Sequence, residues 1–186
     1  PFKATILFSH LHWDHILGFP FFTPAFPPGT TLGIYCDRRP VGNLKEVMRG
    51  QMAEPTFPVS LDSMGAEIDF HEFSQGDTLR LGDCVVKTAA LNHPGGATGF
   101  RFEYKGKVFV HASDHEHLPT GFWQPLVDLA RGADYFSVDS TYTDAEYHGT
   151  DGGLGHIGWG HSTWQENVKL ANEAGVGELI LFHHEP

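Results

Sequence analysis

Three histidines and an aspartate fall within residues 10–15, and this cluster constrains the chain more than any other feature. The segment reads HLHWDH and is separated by Ser9 alone from an apolar run at residues 4–8. A short aliphatic and β-branched run is typical of a buried strand, so the cluster is predicted at a strand end. His10 and His12 point the same way in an extended segment, whereas a helical turn from Asp14 would direct Asp14 and His15 to another side. Because imidazole and carboxylate bind zinc, iron and manganese, one segment can furnish ligands for two neighbouring metal ions.

The pattern His-x-His-x-Asp-His resembles the signature of the metallo-β-lactamase superfamily of metal-dependent hydrolases. The resemblance implies that further ligands follow later strands. His93 comes after a predicted strand and would complete the first metal site, and Asp114 would bridge the two ions. His183, rather than the adjacent His184, would complete the second site. The implied metal ligands are His10, His12, Asp14, His15, His93, Asp114 and His183. The implied cofactors are two divalent ions, zinc first, with manganese or iron as alternatives.

A second motif precedes a helix predicted at 163–174, with Ser162 as its N-cap and Gly175 at its end. Gly160-His161-Ser162-Thr163 resembles the His-x-Thr element of the phosphodiesterase and ribonuclease Z branch. That resemblance implies that His161 protonates or stabilises the leaving group. An aspartate in place of cysteine at position 14 also favours this branch, or the lactonases, over the true β-lactam hydrolases.

Four other histidines are harder to assign. His115 and His117 lie beside Asp114 and are predicted to be surface groups or supports for the ligands. His148 and His156 fall near or within a glycine-rich segment, residues 149–160, and have no assignable role. The segment could close over a substrate.

The order of predicted elements is strand-rich in the first half and alternates strand with helix in the second. It predicts an α/β protein with two mixed β-sheets flanked by helices, similar to the αββα sandwich of the superfamily. The length of 186 residues fits one domain, 1–186. Because the chain opens almost inside a strand and without Met, we expect an excerpt of a longer chain that is incomplete at its N-terminus. Strands are predicted at 4–8, 31–36, 67–73, 85–91, 99–104, 107–110, 135–138 and 178–182, and helices at 41–52, 123–132 and 163–174.

The composition limits the kinds of partner that the chain is expected to bind. A net charge of −11 disfavours binding to nucleic acid, which calls for a basic surface. No apolar run is long enough to span a bilayer, so we expect no membrane contact and a cytoplasmic location. The expected partner is a small-molecule substrate, and a homodimer stays an alternative. Cys36 and Cys84 are far apart in apolar segments and are predicted to be two thiols rather than a disulfide.

The expected function is that of a binuclear phosphodiesterase, in which a metal-bridging hydroxide attacks a small or cyclic phosphodiester. Asp14 or Asp114 would accept a proton from the nucleophile, and His161 would act as general acid. Ribonuclease Z itself is disfavoured because the sequence shows no basic, glycine-rich arm. The alternatives are a lactonase, another carboxylic ester or β-lactam hydrolase, and a non-catalytic metal-binding sensor domain.

Overall fold

The structure of the protein is a computed structural model, and it describes residues 2–38 and 42–184. The chain divides into two compact units, residues 1–74 and 75–186. The strands are β1 (Lys3–Leu7), β2 (Thr31–Asp37), β3 (Glu67–Phe73), β4 (Thr78–Leu81), β5 (Cys84–Leu91), β6 (Ala97–Tyr104), β7 (Lys107–Ala112), β8 (Tyr135–Asp139) and β9 (Glu178–Phe182). The helices are α1 (Trp13–Ile16), α2 (Leu44–Gln51), α3 (Gln124–Ala130), α4 (Asp144–His148) and α5 (Trp164–Ala174). That both units form a single domain stays a prediction.

The first unit contains a parallel sheet in the order β1-β2-β3. The central strand β2 is the most apolar, and its Leu32 and Ile34 are fully buried in one core with Met48 of α2. Helix α2 begins with a capping box, in which the Asn43 side chain accepts from the Glu46 amide and the Glu46 carboxylate accepts from the Asn43 amide. HLHWDH begins three positions after the last residue of β1, so this unit presents the motif at the carboxyl end of a parallel strand.

The second unit contains a six-stranded sheet in the order β4-β5-β6-β7-β8-β9. Strands β4 to β7 pair antiparallel, whereas β7, β8 and β9 pair in parallel. Two antiparallel steps separate β5 from β7, so β5, β7, β8 and β9 all run in one direction. Their carboxyl ends therefore lie along a single edge of the sheet, which we call the ligand edge.

Helices α3 and α5 supply the core of the second unit. Leu126 and Val127 of α3 and Leu170 of α5 are buried with Phe136 of β8 and Val110 of β7. At about 25 cal/mol per Å² of apolar surface removed from water, such side chains contribute roughly 1.5–3 kcal/mol each. The parallel strands that carry the ligand edge are thereby fixed from behind by helices. The expected fold class, two sheets flanked by helices, is confirmed, with the larger sheet mixed and the smaller one parallel.

Several predicted boundaries need correction. Thr163, not Ser162, is the N-cap of α5, since its hydroxyl accepts from the Glu166 amide. The Ser162 hydroxyl donates to the His115 carbonyl instead of capping the helix. The helix predicted at 123–132 is shorter, Gln124–Ala130. The helix predicted at 41–52 covers Leu44–Gln51, and position 41 lies outside the described residues.

Other differences concern short elements. Helix α1 begins at Trp13 rather than Asp14, and the segment after α1 contains two short 3-10 turns, Phe19–Phe21 and Thr23–Ala25. Strand β4 and helix α4 were not predicted. Both cysteines are free thiols, as predicted. Within the described part of the chain, no helix is long and apolar enough to cross a membrane.

Candidate metal centre

The HLHWDH motif of the first unit gathers its histidines around one buried ring. His10 is 1% exposed, and its ring centroid lies 4.4 Å from that of His12 and 4.2 Å from that of His15. His15 Nε2 is 3.2 Å from the carboxylate of Asp14. His12 has an extended backbone and directly precedes α1. The change from extended chain to helix brings four side chains of ligand type together within residues 10–15. All four predicted ligands from this segment are thus close neighbours.

In the second unit, two histidines face the same carboxylate from the ligand edge. Asp114 follows β7 and is 2% exposed. Its Oδ2 lies 3.5 Å from His93 Nε2, and its Oδ1 lies 3.8 Å from His183 Nε2. Each oxygen of one carboxylate is therefore directed at a different imidazole, an arrangement that suits a carboxylate shared by two ions.

Hydrogen bonds fix which nitrogen of His93 carries the proton. His93 Nδ1 lies 2.8 Å from the Gly160 carbonyl, which can only accept, so Nδ1 is the protonated nitrogen. In the neutral ring the lone pair is then on Nε2, the nitrogen that faces Asp114. Ligating histidines commonly donate their other N–H to a carbonyl in this way.

His183 is oriented by a relay of two hydrogen bonds. Thr141 Oγ1 donates to Asp139 Oδ1 over 2.6 Å, because a carboxylate only accepts. That hydroxyl has a single proton, so it accepts from His183 Nδ1, 3.1 Å away. The Nε2 lone pair is again left facing Asp114. The neighbouring His184 is exposed, and the contacts therefore favour His183 as the ligand.

His161 forms a close pair with Asp139. Its Nδ1 donates to Asp139 Oδ2 over 2.7 Å. The side chain of Asp139 is fully buried and also accepts from the His115 amide and from the amide and hydroxyl of Thr141. One potential ligand atom each from Asp114, Asp139, His161 and His183 lies within 4.8 Å of the others. The hydrogen bond to Asp139 thus occupies Nδ1 of His161 and holds this side chain close to Asp114 and His183.

Asp139 was not among the site residues predicted from the sequence. The available signal was its position directly after the strand predicted at 135–138.

The remaining histidines take varied positions. His115 is fully buried rather than at the surface, its Nδ1 accepts from the Asn92 amide, and burial lowers its pKa to about 3. Burial also lowers the pKa of His117, whose ring packs on Tyr147. His156 stacks on Tyr142, and His148 is exposed at the end of α4. His115 is therefore a neutral core group that supports the segment carrying Asp114.

The residues at the ligand edge fit a divalent metal in chemistry and in spacing. Two ligands of a tetrahedral zinc ion, each about 2.0–2.2 Å from it, are separated by roughly 3.4 Å. The two contacts of Asp114, 3.5 and 3.8 Å, are close to that separation. Imidazole nitrogen with carboxylate oxygen suits zinc, manganese and iron.

A family model described as a beta-lactamase superfamily domain matches residues 3–184. The chain belongs to this superfamily. The match covers nearly all of the described residues and includes the HLHWDH motif and the ligand edge.

Relatives and solved structures agree with membership of the beta-lactamase superfamily. An uncharacterized protein of Mycobacterium tuberculosis (strain ATCC 25618 / H37Rv) is 28% identical over 193 residues, which cover 100% of this chain and 63% of the relative. A ribonuclease Z of Exiguobacterium sp. (strain ATCC BAA-1283 / AT1b) is 27% identical over 228 residues, covering 98% of this chain and 72% of that protein. The metallo-beta-lactamase fold protein YhfI from Bacillus subtilis superposes with a TM-score of 0.71 at 18% identity, over 97% of this chain and 65% of YhfI. The chain thus has the fold of YhfI and spans less than two thirds of its mycobacterial relative.

Proposed function

We propose that the chain is the catalytic part of a binuclear metal-dependent hydrolase that cleaves a small or cyclic phosphodiester. The observation that carries the proposal is Asp114, whose two oxygens face the Nε2 atoms of two histidines. A carboxylate in that position can touch two ions at once, and two-metal sites catalyse phosphoryl transfer in many enzymes. The proposed ligands are His10, His12 and His93 for one ion and Asp14, His15 and His183 for the other, with Asp114 shared.

The bound ions, zinc first among them, would supply Lewis acidity that activates water and offsets the charge developing on the phosphoryl oxygens. The chain's own residues supply the proton transfers. Asp14 has a side chain that is 61% exposed, so it can take a proton from the attacking water and release it to solvent. Asp114, at 2% exposure, has no such route to solvent.

His161 is the proposed proton donor to the leaving oxygen. Asp139 accepts from Nδ1, so Nε2 is the nitrogen left to carry the transferred proton. A histidine poised in this way suits an alkoxide leaving group, which needs a proton as the P–O bond breaks. Similarity to a ribonuclease Z at 27% identity supports a phosphodiester as the substrate class. The net charge of −11 argues for a small phosphodiester over a large nucleic acid.

The test is hydrolysis of bis(p-nitrophenyl) phosphate by protein of known metal content, loaded in turn with zinc, manganese and iron. We expect turnover by the wild-type chain and a loss of at least about 100-fold in Asp114→Ala, because removal of a shared ligand disables both ions. Asp128→Ala is the matched control, since Asp128 is an exposed aspartate of α3. If the loaded wild-type chain hydrolysed lactones or β-lactams and no phosphodiester, the phosphodiesterase proposal would be wrong.

A further inference from the structure

Glu116 is a buried carboxylate that belongs to none of the proposed ligands or proton donors. It lies two residues after Asp114, and its side chain is directed away from solvent, with 8% exposure. Burying a charge is costly unless hydrogen bonds compensate for it. Glu116 therefore needs partners, and the structure shows three of them.

The three partners of the Glu116 carboxylate come from one segment of chain, the end of α4 and the glycine-rich segment 149–160. Oε1 accepts from the Tyr147 hydroxyl and from the Gly158 amide, both at 2.6 Å. Oε2 accepts from the Gly160 amide at 2.9 Å. A carboxylate is suited to this position because both of its oxygens are acceptors only.

The backbone of Glu116 is bound to the segment that carries His93. The Glu116 amide donates to the Asn92 carbonyl, and the Asn92 side-chain amide donates to the Glu116 carbonyl, each over 2.8 Å. Gly160, held by the Glu116 carboxylate, in turn accepts from His93 Nδ1. Glu116 thus contacts both Asn92, the residue before His93, and Gly160, whose carbonyl accepts a hydrogen bond from the His93 ring.

Gly160 lies so close to His93 that no larger residue fits. Its φ is +93°, and a Cβ added there would be 2.4 Å from His93 Nδ1 and 2.3 Å from Pro94 Cδ. The ring is therefore packed directly on the Gly160 backbone. Any movement of the segment at Gly160 must change the orientation of His93.

We propose that Glu116 is a positioning residue for the metal centre, acting through the Gly160 backbone to hold His93 with its Nε2 lone pair directed at the ion. The proposal rests on the proposed function, because it needs a metal at His93. Residues that orient a ligand in this manner alter metal affinity when they are replaced, typically by about 10- to 100-fold.

The experiment measures zinc affinity directly, by competition with a chromophoric chelator, on the full chain stripped of metal. Glu116→Gln replaces one acceptor oxygen with an NH₂ donor that opposes an N–H or O–H of a partner. We expect it to bind the more weakly held zinc about 10- to 100-fold less tightly than the wild type. Tyr147→Phe removes one donor but leaves the amides of Gly158 and Gly160 bound, so its zinc affinity should stay near that of the wild type.

A pair of glycine variants tests the same link without altering the carboxylate. In Gly160→Ala the added Cβ collides with His93. Gly152 has an almost equal φ of +95° and nothing within 4 Å of an added Cβ, so Gly152→Ala introduces the same backbone strain without a collision. We expect zinc affinity to fall in the Gly160 variant and to be kept in the Gly152 variant. This pair also decides the question if Glu116→Gln does not fold, as judged by circular dichroism.

The outcomes separate the two proposals. Zinc bound by the wild type, with equal affinity in Glu116→Gln or with equal affinities in the two glycine variants, would overturn the role of Glu116 and leave the metal centre standing. A wild-type chain that binds no zinc, manganese or iron would overturn the proposed function and the role of Glu116 together.

Discussion

Asp139 accepts four hydrogen bonds from a fully buried position, and this concentration of donors explains how one side chain can organise its neighbours. Through Thr141 it sets the protonated nitrogen of His183, and directly it sets that of His161. A proposed ligand and a proposed proton donor are thus oriented by the same carboxylate. Buried networks of this kind lose more than one contact when a single member changes.

The proposed role of His161 gives a prediction at the level of single residues. In His161→Ala, turnover of a phosphodiester should fall by about 100- to 10,000-fold, the usual contribution of a general acid. Metal content should not change, because His161 is not among the seven proposed ligands and all of those are kept. Turnover and metal content are measured on the same preparation.

Two variants accompany this test of His161. Asp139→Asn should lower turnover in the same direction, since the amide presents a donor where His161 Nδ1–H needs an acceptor, and its melting temperature shows whether the fold survives. His148→Ala, which removes an exposed histidine of α4, should have no effect. Unchanged turnover in His161→Ala would remove His161 from the mechanism.

Some residues of the site could be predicted from the sequence and others could not. His93, Asp114 and His183 could be named because the resemblance to a known superfamily implies a ligand after each of these apolar strands. Glu116 could not, because its partners are 31 to 44 residues away along the chain and no periodic pattern marks it. Its importance arises only when the glycine-rich segment folds back on it.

Among the elements, the connection from α2 to β3 is fixed by a close approach of two backbones. The Gly65 amide donates to the Phe26 carbonyl, and a Cβ at Gly65 would lie 2.3 Å from that oxygen and 3.0 Å from Pro28 N. The apolar, proline-rich segment that follows the HLHWDH motif is thereby attached to the start of β3. Only glycine allows this contact.

Gly65→Ala should therefore destabilise the protein by about 1–3 kcal/mol, as overpacking does elsewhere. Gly50→Ala is the control, because Gly50 lies in α2 with nothing within 4 Å of an added Cβ. It should be neutral or stabilising by roughly 0.5–1 kcal/mol, since alanine favours helix over glycine. Urea unfolding of the two variants gives both free energies, and equal values would contradict the close approach at Gly65.

The elements that sequence patterns did not predict are the short ones. Strand β4 has four residues and gains its stability from pairing with β5, and α4 has five residues and begins with a capping box at Thr143. A helical period needs more residues than α4 contains, and the four residues of β4 are at the lower limit for an alternating pattern. The strands that carry the ligand edge are all longer than β4 and more apolar, so their positions could be predicted.

For the whole molecule, the order of strands is what brings distant residues together. Because β5, β7, β8 and β9 run in one direction, the ligand edge collects side chains from positions 93, 114, 139 and 183. The order of these strands in the sheet could not be predicted from periodicity, and the resemblance to a known superfamily implied only two sheets flanked by helices and a set of ligands. The family match to residues 3–184 confirms that resemblance.

The central claim is that the Asp114 carboxylate is shared by two metal ions, and anomalous X-ray diffraction from zinc-loaded crystals tests it most directly. We predict two anomalous peaks per chain, about 3.5–4 Å apart, with the two oxygens of Asp114 on different ions. A single peak, or two peaks that Asp114 does not join, would contradict the binuclear centre.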